Sequence, residues 1–251
     1  MPKVIFCMAV VGAPHTKTVE SIEASVPLLE AAGWEHGIAQ EFNNPYISFA
    51  RAELIWKAFD NGADAAFMVD HDMEWEPEAL MKVLNTEGDV VVGTYRYKKE
   101  EEEYMGFINL DHKNSPICRE DGCVSAYGVP PGFMKITKAA VQRSMKANPE
   151  LLYGDPLRPR MDLFQHGAKD WLWWGEDYSF SQRYVKAGGE LWIVPNVNVN
   201  HYNMQTGECF KGNFHEYLMR ITHHEEKSHE EKCEKGCKKL HGEQKCLCKN
   251  E

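Results

Sequence analysis

The chain has 251 residues, 43% of them hydrophobic and 26% charged, with a formal net charge of −10. That size and balance suit one globular α/β domain with a buried core. The acidic surplus argues against a broad nucleic-acid-binding face, which wants an excess of Lys and Arg. No apolar run approaches the ~20 residues that cross a bilayer.

Met1-Pro2-Lys3 followed by Val4-Ile5-Phe6-Cys7 has the basic-then-apolar order of a secretory leader. The same stretch reads better as a first core strand, because no small-residue cleavage site follows it in good context. Cys7, Cys118, Cys123 and Cys209 are scattered through the body, which points to free thiols in a reducing, cytoplasmic compartment.

In chain order, the apolar run Val4–Val11 predicts a strand buried on both faces. Thr16–Ala32 follows as a helix stopping near Gly33, and Trp34–Phe42 as a second strand. Ser48–Phe59 predicts a helix with Ser48 as N-cap and Asn61-Gly62 closing it. Ala65–Val69 is a short buried strand. Glu76–Leu84 is a helix with Pro77 in its first turn, and Asp89–Tyr97 a Val-rich strand. Lys98–Glu103 reads as a solvated loop. Short strands are expected at Phe107–Leu110, Val124–Val129 and Phe133–Ile136, then a helix from Lys138 to about Lys146. Asn148–Gly167 is polar and carries prolines, which predicts a long loop able to close over a ligand. Asp177–Lys186 is helical and Leu191–Val194 a last buried strand. This alternation predicts a mostly parallel central sheet with helices on both faces.

Phe67-Met68-Val69-Asp70-His71-Asp72-Met73 leads apolar residues into two aspartates at the C-terminal end of a buried strand, the edge where open α/β sheets bind ligands. In extended backbone, residues two apart share a side. Asp70 and Asp72 could then present oxygens to one hard cation, Mg²⁺ or Mn²⁺, able to bridge the phosphates of a nucleotide. The bland reading is two loop acids before the next helix. A second acidic pair, Glu176-Asp177, opens a helix after Trp171-Leu172-Trp173-Trp174-Gly175. The helix dipole alone favours acids there. Apolar aromatics beside them can also tune a carboxylate for general-base work, and tryptophans such as Trp174 can stack on a sugar or a base. Asp177 is preferred to Glu176 as the base.

These features recur in a fixed order: Ile47-Ser48-Phe49-Ala50-Arg51, Asn61-Gly62-Ala63-Asp64, Val69–Met73, Val91-Val92-Gly93-Thr94-Tyr95, Pro131–Ile136, then Gly175-Glu176-Asp177 with Phe180 and Arg183. From about Lys3 to Tyr202 the set resembles glycosyltransferase family two, especially its small viral and phage members. The resemblance implies a GT-A fold, in which a nucleotide-binding α/β half joins an acceptor half in one continuous sheet. It implies Asp70 and Asp72 as the Asp-x-Asp metal and nucleotide site, and Arg51 near the nucleotide or its phosphates. Gly132 and Phe133 would shape the sugar and acceptor pocket. Asp177 would be the base of an inverting transfer, and His201 a third metal ligand. The donor would be a nucleotide-sugar, UDP by default. The acceptor would be a glycan, protein or small hydroxyl compound, and a viral protein would work in host cytoplasm. Two departures, Ala52-Glu53 after Arg51 and His71 between the aspartates, leave donor identity open.

Residues 1–222 thus read as the transferase domain and 223–251 as a separate tail with seven Glu and seven Lys. Cys233, Cys237, Cys246 and Cys248, with His229 and His241 nearby, could hold a structural Zn²⁺. The alternative is a disordered, redox-sensitive tail. Three rivals to such a transferase differ in what they require. A nucleotidyltransferase would want a richer basic loop than Val11–Lys17. A degenerate fold could bind carbohydrate or a partner without catalysis. A viral transferase could glycosylate modified DNA bases, against which the acidic body speaks.

Overall fold

The structure, a computed structural model, describes residues 1–221. Met1–Phe214 form one compact unit, and the described part of a second unit, residues 215–221, is helical. The four tail cysteines proposed for zinc lie outside the described residues.

The first unit opens with β1 (Lys3–Val10), α1 (Thr16–Ala31), β2 (Glu35–Phe42), α2 (Ile47–Asp60) and β3 (Ala65–Val69). Next come β4 (Met73–Trp75), α3 (Pro77–Asn85), β5 (Val90–Val92), β6 (Phe107–Ile108), β7 (Val124–Gly128), β8 (Phe133–Thr137) and α4 (Lys138–Ala147). The remainder is β9 (Leu152–Asp155), β10 (Arg158–Met161), β11 (Gly167–Lys169), β12 (Leu172–Trp174), α5 (Glu176–Lys186), β13 (Leu191–Ile193), β14 (Val199–Tyr202) and β15 (Cys209–Phe210). Eight strands form the central sheet in the order β2-β1-β3-β8-β5-β13-β7-β6. Only β8 and β7 run against the other six, so the sheet is mostly parallel.

The alternation of β1 explains the layers. Val4, Phe6, Met8 and Val10 point to one face, where Ile22 and Leu29 of α1 and Leu80 and Val83 of α3 complete the core. Cys7 points to the other, and its thiol donates to the Leu54 carbonyl of α2 at 3.4 Å. With both faces covered, a continuous apolar run is what such a strand requires. This is the α/β class expected from the sequence.

Three expectations change. Ser48 does not cap α2: the helix starts at Ile47, Tyr46 precedes it without a side-chain cap, and Ser48 is buried in the first turn. The strand expected over Asp89–Tyr97 is shorter, Val90–Val92. Gly93, which follows it, still donates its N–H to the Phe133 carbonyl at 3.0 Å, and a Cβ on it would lie 2.8 Å from both Phe133 and Val197, so the chain passes too close to its neighbours for any side chain. Asn148–Gly167 is not a long loop. It includes the β9–β10 hairpin, which docks on α2: Glu53 accepts from Tyr153 and Arg160, each at 2.6 Å, and Asp60 accepts from Arg160 at 2.9 Å. Its polar residues answer the acids of a helix rather than water.

Gly93→Ala should therefore destabilise the fold by about 1–3 kcal/mol, as overpacking does. Urea unfolding measures this, and an unchanged midpoint would show that the core yields there at no cost.

Candidate active site

β3 delivers Asp70 to the C-terminal edge of the sheet. The strand ends at Val69, and residues 71–72 form a turn rather than extended chain. That turn is pinned on three sides. His15 N–H donates to the His71 carbonyl at 2.7 Å, the Thr18 hydroxyl to the Met73 carbonyl at 2.7 Å, and Tyr202 N–H to the Asp72 carbonyl at 2.8 Å. Asp70 and Asp72 still line one cleft of about 220 Å³, with Arg51, His71, Lys98 and His201. The turn, however, gives each carboxylate its own partners. A larger groove of about 1060 Å³, between the β9–β10 hairpin and helices α2 and α4, shares no lining residue with this cleft.

Asp70 belongs to a chain of paired groups. Oδ1 accepts from Arg51 Nη2 at 2.8 Å, and Arg51 Nη1 donates in turn to Glu176 Oε1. Burial works against the Arg51 charge, and Asp70 and Glu176 outweigh it, so the guanidinium is held firmly protonated. Asp70 Oδ2 accepts from the Tyr95 hydroxyl at 3.2 Å, which itself accepts from Gly132 N–H at 3.1 Å. Burial, then the Asp70 charge, keep the Tyr95 phenol well above its ordinary pKa, so it remains a donor. Gly132 is obligatory here, since a Cβ would stand 2.2 Å from the Tyr95 oxygen and 2.5 Å from Asp70 Oδ2.

Asp72 is more deeply buried, at 5% exposure. Lys98 donates to its Oδ2, and His201 Nε2 stands 3.6 Å from its Oδ1. Burial alone would raise this carboxyl; His201 and Lys98 overcome that and bring it down to about 2. The other His201 nitrogen, Nδ1, faces the Arg96 carbonyl at 2.9 Å. A carbonyl only accepts, so Nδ1 carries a proton. Nε2 is thus the ring nitrogen that faces Asp72, where a protonated imidazole pairs with the carboxylate and an unprotonated one can join it in holding a cation. That donor set fits a divalent ion. Asp70, by contrast, is drawn off to Arg51 and Tyr95. Among the described residues no three His, Cys, Asp or Glu side chains gather closely enough to form a complete protein cage. Phosphate oxygens and water commonly complete such sites around Mg²⁺.

The second acidic pair divides in role. Glu176 is tied to Arg51. Asp177 has no ion-pair partner among the described residues; its Oδ1 accepts only the Tyr178 N–H, at 2.7 Å. Burial first, and then the Glu176 charge, raise the Asp177 carboxyl above its ordinary value, against the pull of Arg51. Two aromatic assignments are corrected. Phe133 does not shape a pocket: it has no exposed surface and packs on Phe67 and Trp75 with ring centroids 4.9 and 5.2 Å away. Trp174 is likewise buried, against Tyr178 and beneath Lys169. The exposed indoles of the β12 hairpin are Trp171 and Trp173. Sequence reasoning missed Tyr95 and Lys98. Tyr95 lay within a predicted strand, and Lys98 within a run of charge whose usual fate is solvent.

No family model matches the chain, and no curated protein sequence matches it. Its chain path is similar to solved structures at low identity. A197 from STIV is 14% identical at a TM-score of 0.47, over 85% of this chain and 95% of that one. GalNAc-T7, solved with UDP, GalNAc and Mn²⁺, is 10% identical at 0.47, over 80% of this chain and 44% of that one. S. aureus TarS 1–349 in complex with UDP-GlcNAc is 10% identical at 0.41, over 77% and 56%. This chain thus spans less than half of the GalNAc-T7 chain and little more than half of the TarS chain.

The Arg51 bridge yields a prediction. Removing one partner of a buried ion pair leaves charge without compensation, at a cost of about 3–5 kcal/mol. Arg51→Met should lose stability of that order in urea titrations. Arg51→Lys should recover little, because one ammonium cannot serve two carboxylates in the geometry of a guanidinium fork. Wild-type stability in Arg51→Met would show that the bridge contributes nothing.

Proposed function

We propose that this protein is a GT-A-type glycosyltransferase, moving a sugar from a nucleoside-diphosphate sugar to an acceptor hydroxyl with help from a divalent cation. The observation that carries this reading is the division among four carboxylates at the sheet's ligand-binding edge. Asp70 and Glu176 are neutralised by Arg51, Asp72 is set beside His201, and Asp177 has no cationic partner among the described residues.

Asp72 and His201 would hold the cation, Mn²⁺ or Mg²⁺. When bound, it supplies charge that stabilises the departing diphosphate. Arg51 lies in the same cleft and anchors Asp70 at its floor. Asp177 receives the proton of the acceptor hydroxyl as that oxygen bonds to the anomeric carbon. The bond from this carbon to the phosphate oxygen breaks on the opposite face, and its electron pair leaves with the diphosphate. The product has inverted configuration. A raised carboxyl suits Asp177 to accept that proton, since a base is most effective when its pKa approaches the working pH. The sequence resemblance makes UDP the default nucleotide.

The test is a panel of nucleotide-sugars assayed for binding and slow hydrolysis with Mn²⁺, with Mg²⁺ and with chelator, on wild type and Asp72→Ala. Turnover of one donor that needs metal and is lost in Asp72→Ala supports the reading. A folded protein that binds no donor under any condition sinks it. Asp177→Asn should lower kcat about 10²–10⁴-fold while leaving donor binding intact. In wild type kcat/KM should rise with pH as Asp177 deprotonates, over a range above that of an ordinary aspartate, and this acid limb should vanish in Asp177→Asn. Retained anomeric configuration, or full activity in Asp177→Asn, would remove Asp177 from the chemistry.

A further inference from the structure

Lys98 has no part in the chemistry described so far, yet its ammonium is drawn out of a charged surface loop and onto Oδ2 of Asp72. The loop that carries it is closed at its neck. Arg96 pairs with Tyr104 across the neck, and Tyr97 N–H donates to the Glu103 carbonyl at 3.0 Å. The Arg96 guanidinium folds back to the carbonyls of Lys99 and Glu100 at 3.2 and 3.0 Å. The same neck is joined to the site, because the Arg96 carbonyl accepts a hydrogen bond from His201 Nδ1. Asp72 is thereby bracketed, with imidazole beside one oxygen and ammonium on the other.

A carboxylate as buried as Asp72 needs a countercharge, and without bound ligands Lys98 supplies it. An ammonium and a divalent cation cannot share that carboxylate, since like charges so close in a poorly screened cleft repel strongly. A lysine is suited to yield: it is a point charge on a flexible four-carbon stem. Its side chain is 31% exposed at the cleft, against 7% for Asp72, so the ammonium has room to turn. A nucleotide diphosphate would bring an anion for it to turn to.

Resting on the transferase reading, we infer that Lys98 is a charge-exchange residue for the nucleoside diphosphate. Without ligands it occupies the cation's place on Asp72. When a divalent cation takes Asp72, the ammonium passes to the incoming diphosphate. Metal and nucleotide then bind as a coupled pair. The metal alone must expel an ammonium from its buried carboxylate, and the diphosphate alone enters a cleft lined by Glu41, Asp70 and Asp72 without the metal's charge. Such coupling is reciprocal, each ligand strengthening the other by the same factor.

Calorimetric titration tests this with Mn²⁺ alone, with UDP in chelator, and with UDP at saturating Mn²⁺, on the full chain as wild type, Lys98→Met and Lys98→Arg. The exchange predicts two shifts of opposite sign in Lys98→Met: Mn²⁺ alone binds about tenfold tighter, and UDP with Mn²⁺ binds about tenfold weaker. Lys98→Arg, which keeps the charge, should restore weak binding of Mn²⁺ alone. Should Lys98→Met fail to fold, Lys98→Gln takes its place under the same two expectations. Unchanged or weakened Mn²⁺ binding in the neutral variant overturns the exchange, as does unchanged UDP binding. A wild type that binds both ligands without the opposite shifts defeats this inference alone. A wild type that binds neither, and binds no nucleotide-sugar of the panel, defeats the transferase reading and this inference with it.

Discussion

The site depends on one buried guanidinium. Arg51 comes from α2, Asp70 from the end of β3 and Glu176 from the first turn of α5, elements separated by up to 125 residues in the chain. Without Arg51, Asp70 and Glu176 would lose the countercharge they share. With it, both carboxylates become structural. Asp70 then fixes the Tyr95 hydroxyl, which fixes the Gly132 amide, so the floor of the cleft is one hydrogen-bonded series from helix to sheet.

That series leaves the chemistry to the remaining acids. Asp72 and Asp177 stand two residues and one residue from the structural acids in sequence, yet their surroundings push their proton affinities apart. Asp72, flanked by His201 and Lys98, is held at about 2 and stays a carboxylate at any working pH, as an ion ligand must. Asp177, buried beside Glu176, is shifted upward, as a proton acceptor should be. Separation of this kind between neighbouring carboxyls is how one fold assigns electrostatic and acid–base roles.

Much of the framework was legible because it obeys local rules. The alternation of β1, the helices of the first half and the aspartates after β3 follow from periodicity and from the end of an apolar run. The rest depended on contacts invisible in one dimension. Lys98 reads as solvent-facing until its partner 26 residues away is known, and Tyr95 reads as strand until its hydroxyl is found on Asp70, beyond a strand that ends at Val92. The polar hairpin β9–β10 resembles a loop because its partners, Glu53 and Asp60, lie on another element. Phe133 was misplaced through its neighbour: Gly132 meets the site through its backbone, while the next side chain belongs to the core. Trp174 was misplaced in the same way, since only Trp171 and Trp173 of that aromatic run are exposed.

The distribution of rigidity bears on how an acidic protein can receive an anionic ligand. The turn bearing Asp72 is bonded through its backbone to His15, Thr18 and Tyr202, and Asp70 is fixed through Arg51 and Tyr95. These groups cannot retreat from an incoming phosphate. The charge that can be rearranged is the one on a long, partly exposed side chain, Lys98, whose own loop is closed and tethered at Arg96. A fixed anionic floor with one movable cation makes ligand entry a matter of charge exchange rather than of opening a domain. It requires no broad basic surface, which is consistent with a net charge of −10 over the whole chain.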